Sequence, residues 1–128
     1  MSKRYAFSTG PLENQLDSVG TIAKTVWIKV LNNRREKFIT ARIRIFHLDG
    51  TKILIFENEH TVAPESSDID IVYLSETDYE FEVQYDVNHQ GALVSVFTKD
   101  ANGNLVDAHR VLNKEFTPIH KLCVPQVS

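Results

Sequence analysis

Alternation of apolar and polar side chains is the feature that most constrains the fold of this 128-residue chain. It runs, with interruptions, from about Thr21 to Leu112, and is plainest over Tyr79 to Val87, where every second residue is aromatic or aliphatic. Successive side chains of a strand point to opposite faces of its sheet, so this period indicates strands with one buried face. No segment carries the apolar stripe of an amphipathic helix. The sequence therefore predicts an all-β protein.

Turn residues divide this region into about seven or eight short strands. Asp49-Gly50 and Asn102-Gly103 are typical of type I′ hairpin turns, and Pro64 interrupts a ladder because proline has no N–H to donate. The expected strands are Thr21 to Leu31, Lys37 to Leu48, Thr51 to Phe56, Asp68 to Leu74, Tyr79 to Val87, Ala92 to Lys99 and Leu105 to Leu112. Many short antiparallel strands predict a two-sheet sandwich or jelly roll, which hides both apolar faces.

The two ends of the chain lack clear alternation. Gly10-Pro11 interrupts the first stretch, and the last contains Pro118 and Pro125. We therefore expect an extended N-terminal arm over residues 1–19, a sandwich domain over residues 20–116 and a C-terminal tail over residues 117–128. A chain of this length buries roughly two thirds of its unfolded surface, enough for one core.

Composition argues against several classes of partner. The net charge of -3 comes from 14 basic and 17 acidic residues without a long basic block, so nucleic acid is not an expected partner. No apolar run approaches the roughly 18 residues of a membrane span, and the N-terminus lacks the apolar region of a signal peptide. We expect no membrane partner and either a cytoplasmic location or an exit that needs no signal peptide.

Candidate metal ligands were sought among oxygen-rich loops and histidines. Asp100, Asn102, Gly103, Asn104 and Asp107 resemble a calcium loop, but the glycine and glutamate positions of an EF-hand do not match, and an Asn-Gly hairpin turn is the favoured interpretation. The five histidines lie far apart, without the short spacing typical of zinc ligands. We expect no metal site and no cofactor.

Carboxylate pairs are the other candidates for chemistry. Asp68 with Asp70, and Glu80 with Glu82, lie two residues apart on predicted strands, which places each pair on one face. We interpret both as solvated faces rather than general acid and base groups. The chain also lacks a phosphate-binding glycine loop and a nucleophile motif. The hypothesis is a protein that is not an enzyme, with no catalytic residue.

Aromatic residues and the lone cysteine suggest contacts instead. Trp27, Phe38 and Phe46 fall on the nominally outer faces of their strands, where they would bind a sugar ring or a neighbouring subunit, unless a bulge turns them into the core. The single cysteine, Cys123, excludes an internal disulfide. It is expected to be exposed, either as an ordinary thiol or as a link between chains.

Several blocks together resemble one group of proteins. They are Phe7-Ser8-Thr9-Gly10-Pro11-Leu12, Leu48-Asp49-Gly50-Thr51-Lys52, Thr61-Val62-Ala63-Pro64-Glu65-Ser66-Ser67, and Lys99-Asp100-Ala101-Asn102-Gly103-Asn104-Leu105-Val106 followed by Ala108-His109-Arg110-Val111-Leu112. The chain resembles small, largely uncharacterised β-sheet proteins of spore-forming Gram-positive bacteria, of the kind that are candidates for the spore surface or its appendage fibres. The resemblance implies jelly-roll subunits that polymerise through N-terminal arms and reach the outside when the mother cell lyses. The cysteine-bearing arm of such appendage subunits is absent here.

These observations lead to a structural hypothesis. We expect a self-assembling subunit whose N-terminal arm fills the sheet edge of a neighbour by β-augmentation, with cis pairing of the arm left open. The alternative is a carbohydrate- or protein-binding sandwich that forms a closed oligomer. Expected partners are copies of the chain itself, and other surface proteins or glycans. The candidate subunit-interface residues are Phe7, Pro11, Leu12, Trp27 and Cys123.

Overall fold

The strands form two antiparallel sheets that pack face to face in a computed structural model, which describes residues 4–15 and 20–122. The described strands are β1 (Tyr5–Ser8), β2 (Leu12–Glu13), β3 (Thr25–Asn32), β4 (Ile39–Asp49), β5 (Thr51–Val62), β6 (Ser66–Tyr73), β7 (Glu80–Val87), β8 (Ala92–Lys99) and β9 (Thr117–Ile119). Two short 3-10 turns, Asp107–His109 and Asn113–Glu115, lie between β8 and β9.

The larger sheet has the order β5-β4-β7-β1-β9, with β2 also paired to β7, and the smaller sheet has the order β6-β3-β8. Neighbouring strands are antiparallel throughout both sheets. The predicted all-β, two-sheet sandwich is confirmed, with nine strands in the described residues where seven or eight were expected.

The core lies between the sheets and contains the inward residues of alternating strands. The main contributors are Val26, Ile28 and Val30 of β3, Ile39, Ala41, Ile43 and Ile45 of β4, Phe81, Val83, Tyr85 and Val87 of β7, and Val94 and Val96 of β8. Tyr85 anchors the chain ends to this core, because its ring stacks on Phe7 at 5.1 Å and meets the edge of Phe116 at 4.9 Å. Burial raises the pKa of the Tyr85 hydroxyl.

A β-bulge changes the register between β4 and β5. Ile45 pairs with Phe56 while Phe46 pairs with Leu54, so Ile55 is an extra residue on β5. Phe46 is fully buried although it follows a buried Ile45, and this removes it from the candidate binding aromatics. The sequence left open that a bulge turns Phe46 into the core. The bulge at Ile55 accompanies this interruption of the alternation between buried and exposed residues.

The described parts of the two chain ends belong to the larger sheet. β1 pairs with β7 and β9 of its own chain, and β2 pairs with β7. The expected extended arm over residues 1–19 pairs in cis over its described residues, because without β1 and β2 one side of β7 would be an open edge. Within the expected C-terminal tail, Thr117–Ile119 forms an edge strand of the larger sheet.

The expected strand from Leu105 to Leu112 is wrong. Only isolated bridges occur there, Lys99 with Leu105 and Val96 with Val111. The reason is His109, which lies buried in the 3-10 turn between the two bridges. Its Nε2–H donates to the Glu13 carbonyl at 2.5 Å, and its Nδ1 lies 2.9 Å from the Thr98 hydroxyl. These bonds draw the segment across the end of the sandwich and interrupt a regular ladder.

Candidate interaction surface

Ile69, Ile71 and Tyr73 of β6 lie on the side of the sheet away from the core, whereas Val72 packs against the core. The register of β6 with β3 places Asp70 opposite the fully buried Ile28, and Ile71 opposite Trp27. Asp70 is accordingly only 8% exposed, whereas Ile71 is 44% exposed. The interpretation of Asp68 and Asp70 as a solvated pair is therefore wrong for Asp70, which faces the larger sheet.

His60 of β5 holds these two carboxylates, and we call His60, Asp68 and Asp70 the His60 clamp. Its Nδ1 lies 2.6 Å from Asp68 Oδ2, and its Nε2 lies 2.6 Å from Asp70 Oδ2. The amide of Asn58 donates a further bond to Asp70 Oδ1 at 3.0 Å. A ring that donates from both nitrogens is protonated, so the clamp is a charged link between the edge strands of the two sheets.

The electrostatics of the clamp favour the charged form of the ring. Burial opposes the charge on His60, but the hydrogen bonds to Asp70 and Asp68 outweigh it and raise the pKa of His60 above its ordinary value. The bond from His60, helped by the Ile69 N–H, holds the pKa of Asp68 below its usual range.

The outward residues of the smaller sheet form a contiguous surface, which we call the outer face. It consists of Ser67, Ile69, Ile71 and Tyr73 from β6, Thr25, Trp27, Lys29 and Leu31 from β3, and Leu93, Ser95, Phe97 and Lys99 from β8. Ile71, Trp27 and Phe97 form one apolar row across all three strands, and Leu31 lies beside Leu93. None of these side chains, all within the described part of the chain, is acidic. A contiguous apolar surface of this kind is typical of an interaction site.

Trp27 is held in a fixed orientation within the outer face. Its ring stacks on Phe97 with centroids 5.8 Å apart, and Lys99 Nζ lies 3.9 Å from the Trp27 ring centroid. The indole N–H donates to the Thr25 hydroxyl at 2.9 Å. The aromatic surface is therefore ordered before any partner arrives, which lowers the entropic cost of binding.

A shallow apolar groove continues the outer face past the end of β8. It has a volume of about 380 Å³ and is lined by Leu31, Leu93 and Leu112 among others. Leu112 is 43% exposed, so the apolar surface extends beyond the sheet itself.

The predicted interface residues do not all lie on this surface. Trp27 does, whereas Phe7 and Leu12 are half-buried and pack against the core. Pro11 is exposed between β1 and β2, and Cys123 lies outside the described residues. Phe38 is 59% exposed, just before β4.

The alternation of side chains in the sequence did not reveal most of the outer face. Its unrecognised residues are Leu31, Ile69, Ile71, Tyr73, Leu93 and Phe97. The sequence does contain one indication of this surface, because β3 and β8 carry large apolar side chains on both faces. A strand with one solvated face needs them on one face only.

The outer surface of the larger sheet is different, because β7 carries a buried polar row of Glu82, Gln84 and Asp86. Asp86 pairs with Arg42 and, at 2.6 Å, with Arg4. Burial opposes ionisation of Asp86, but the bonds from Arg42 and Arg4 outweigh it and lower its pKa.

Glu82 in the same row is also partnered. Lys52 Nζ lies 2.7 Å from its Oε1, and the Ser8 hydroxyl and the Gln84 amide bond its Oε2. Burial opposes its charge, but these bonds with Lys52, Ser8 and Gln84 together lower its pKa. The solvated-face interpretation is wrong for Glu82, and the row is a buried network of ion pairs and hydrogen bonds.

The loop at Asp100 uses its oxygens internally. Asp100 Oδ1 accepts the N–H groups of Asn102 and Asn104, each at 2.9 Å, and Gly103 has a φ of 82°. Across residues 4–15 and 20–122, no group of three or more His, Cys, Asp or Glu side chains is arranged to hold a metal ion. In the same residues, no helix has the length and apolar character needed to cross a membrane.

Fold and surface together define an antiparallel β-sandwich with an exposed apolar outer face. No protein-family model matches the chain, and no curated protein matches it in sequence. Among solved structures it is similar to the crystal structure of Thermotoga maritima 1070, with 15% identity, 91% of each chain covered and a TM-score of 0.44. That likeness carries no conclusion about function.

Proposed function

We propose that the protein is a structural subunit that assembles with copies of itself through the outer face. The observation that supports this is the orientation of β6, which turns Asp70 and Val72 inward and leaves Ile69 and Ile71 on the outer face. A slip of one residue would reverse every side chain of β6 and hide Ile69 and Ile71. The His60 clamp instead stabilises the orientation that exposes them, so the apolar surface is a maintained feature of the fold.

The size of the outer face determines what kind of contact it makes. Three strands about 4.8 Å apart and eight residues long, at about 3.3 Å per residue, span on the order of 370 Å². A contact between two outer faces therefore buries about 370 Å² on each copy, less than half of the roughly 800 Å² that each partner buries in a standard interface. One such contact is therefore weak, which suits a subunit held by several contacts in an assembly.

The N-terminal arm offers a second route to assembly. Because β1 lies between β7 and β9 of its own chain, augmentation in trans requires that β1 of one copy replaces β1 of the next. Contact through the outer face requires no such rearrangement, so we place it first. The resemblance to proteins of spore-forming bacteria supports a spore surface or appendage fibre as the place of assembly.

The test compares masses and particles of matched variants by sedimentation velocity and negative-stain electron microscopy. The wild type is expected to associate as its concentration rises. The double variant Leu31→Lys/Leu93→Lys is expected to stay monomeric, while Ile53→Lys, at an exposed position on β5, behaves like the wild type. A wild type that stays monomeric, or a double variant that associates equally well, contradicts the proposal.

Exchange of β1 needs its own experiment, because deleting residues 1–16 would remove two strands of the sheet. Ala6 pairs with Ile119, so Ala6→Cys/Ile119→Cys in a Cys123→Ser background links β1 to its own chain. Assembly that disappears when this disulfide forms, and returns on reduction, assigns the contact to exchange of β1.

The alternative is a carbohydrate-binding module in a closed oligomer. One observation favours it: Trp27 is exposed enough to meet a ring, and Lys99 beside it would pair with an acidic sugar. A glycan-dependent change in Trp27 fluorescence, together with one discrete mass, supports this function over the assembling subunit.

A further inference from the structure

The free edges of the two sheets differ in how well they are protected against pairing with another chain. On the larger sheet, β5 carries the bulge at Ile55, and β9 is only three residues long and contains Pro118. On the smaller sheet, the bridges from Val111 and Leu105 cover part of β8. Bulges, prolines and covering segments all discourage the addition of a strand.

The remaining edge, β6, has none of these protections within its described residues. Its register with β3 is unbroken over all eight residues, and it contains no proline. The Leu74 N–H donates to the Lys24 carbonyl at 2.9 Å, which fixes the alternation of the ladder. In an antiparallel pair, bonded positions recur every second residue, so the N–H and C=O groups of Ile69, Ile71 and Tyr73 point to the free edge.

We propose that β6 pairs antiparallel with β6 of a second copy, about a two-fold axis at Ile71. This rests on the proposed function, since it names one contact of the self-assembling subunit. With the axis there, Ile69 of each copy lies opposite Tyr73 of the other, and Ile71 lies opposite itself. The outward N–H and C=O groups then bond each other, and apolar side chains meet on the outer face.

Charge disfavours the two registers centred on Asp70 and on Ile69. Moving the axis to Asp70 places the two Asp70 residues directly opposite each other. Moving it to Ile69 places Asp68 of one copy opposite Asp70 of the other. Like charges directly opposite are destabilising. With the axis at Ile71, Asp70 lies opposite Val72 instead. One bond must be exchanged, because the Ile69 N–H donates to Asp68 Oδ1 at 2.9 Å in the single chain.

The pairing makes one continuous six-stranded sheet, in the order β8-β3-β6-β6-β3-β8. The paired sheet has an outer face of about 700 Å², twice that of a single copy. This area is close to the roughly 800 Å² that each partner buries in a standard interface. The edge contact thus prepares a surface large enough for a second, face-to-face contact.

Cysteine cross-linking in a Cys123→Ser background tests the edge and its register. Opposed residues of a bonded pair have Cα atoms about 5.5 Å apart, within disulfide range. Ile71→Cys is expected to link to itself, and Ile69→Cys is expected to link only when mixed with Tyr73→Cys. The control, Ile53→Cys, is similarly exposed but lies on β5, away from β6 and from the outer face. Links between Ile69→Cys and Ile71→Cys overturn the register.

Backbone and side-chain contributions are separated by a proline. Ile71→Pro keeps the bonds of β6 to β3, because the N–H of Ile71 points to the free edge. It is expected to weaken self-association at least tenfold with an unchanged circular dichroism spectrum, whereas Ile71→Val associates like the wild type. An associating protein without links at Ile71→Cys overturns the edge pairing and leaves the proposed function standing. A wild type that is monomeric at every concentration refutes both.

Discussion

Removal of the His60 imidazole tests how β6 is held, and the variant His60→Ala is expected to lose about 3 kcal/mol of folding free energy at pH 5.5. Asp68 is half exposed, so its bond to the ring contributes roughly 0.2–1 kcal/mol. Asp70 is nearly buried, and a hydrogen bond between charged groups there contributes about 1.5–3 kcal/mol. Asn58 stays bonded to Asp70 in the variant, which limits the penalty of a buried unpaired carboxylate.

The difference between wild type and variant depends on pH in one direction. The folded-state pKa of His60 is raised above its ordinary value of 6.5. The clamp therefore stabilises the protein fully below about pH 6.5, and this stabilisation is lost as pH rises through the folded pKa. The wild type and His60→Ala should converge in stability at alkaline pH.

Urea unfolding followed by fluorescence of the single tryptophan, Trp27, measures both quantities. His120→Ala is the matched control, because His120 is exposed, and it should change stability by less than about 0.5 kcal/mol. A loss below about 1 kcal/mol for His60→Ala at pH 5.5, or a loss that stays constant from pH 5.5 to 9, would refute the assignment of the clamp.

Three further outcomes are expected from urea or thermal unfolding. Asp86→Asn should cost about 2–4 kcal/mol at pH 7. Because the pKa of Asp86 is lowered, the wild type loses this advantage progressively as pH falls below about 4, and a difference that stays constant over that range contradicts the prediction. Phe46→Ala should cost about 3–5 kcal/mol, while Phe38→Ala changes stability by less than about 0.5 kcal/mol. A loss for Phe46→Ala as small as that for Phe38→Ala would contradict the burial of Phe46. Gly50→Ala, at a φ of 73°, should cost about 1 kcal/mol, and an unchanged midpoint contradicts that conformation.

The strands of the core were predictable because burial of one face imposes a period of two on each of them. β3, β4 and β7 follow this period, and their inward residues fill the core. Turn residues located the β4–β5 hairpin for an equally local reason, although the predicted type I′ turn is wrong, because Gly50 has a positive φ and Asp49 does not.

The outer face was not predictable by the same rule, because β6 breaks it. Alternation assigns Ile69 and Ile71 to the core, whereas a histidine on the neighbouring edge strand determines that Asp70 takes the inward side. Contacts between separate elements also decided the bulge at Ile55 and the irregular path around His109. These choices depend on tertiary partners that a local pattern does not contain.

The position of β1 between β7 and β9 also governs the order in which the chain can fold. Ala6 pairs with both Asp86 and Ile119. The pairing of β1 is therefore complete only after both β7 and β9 have been synthesised. Pairings between residues so distant in sequence slow folding, because closing the long loop between them costs entropy before the stabilising contacts form. During synthesis, the inward aromatic residues of β7 therefore meet β4 first, and β1 has both of its partner strands only after residue 119 has left the ribosome.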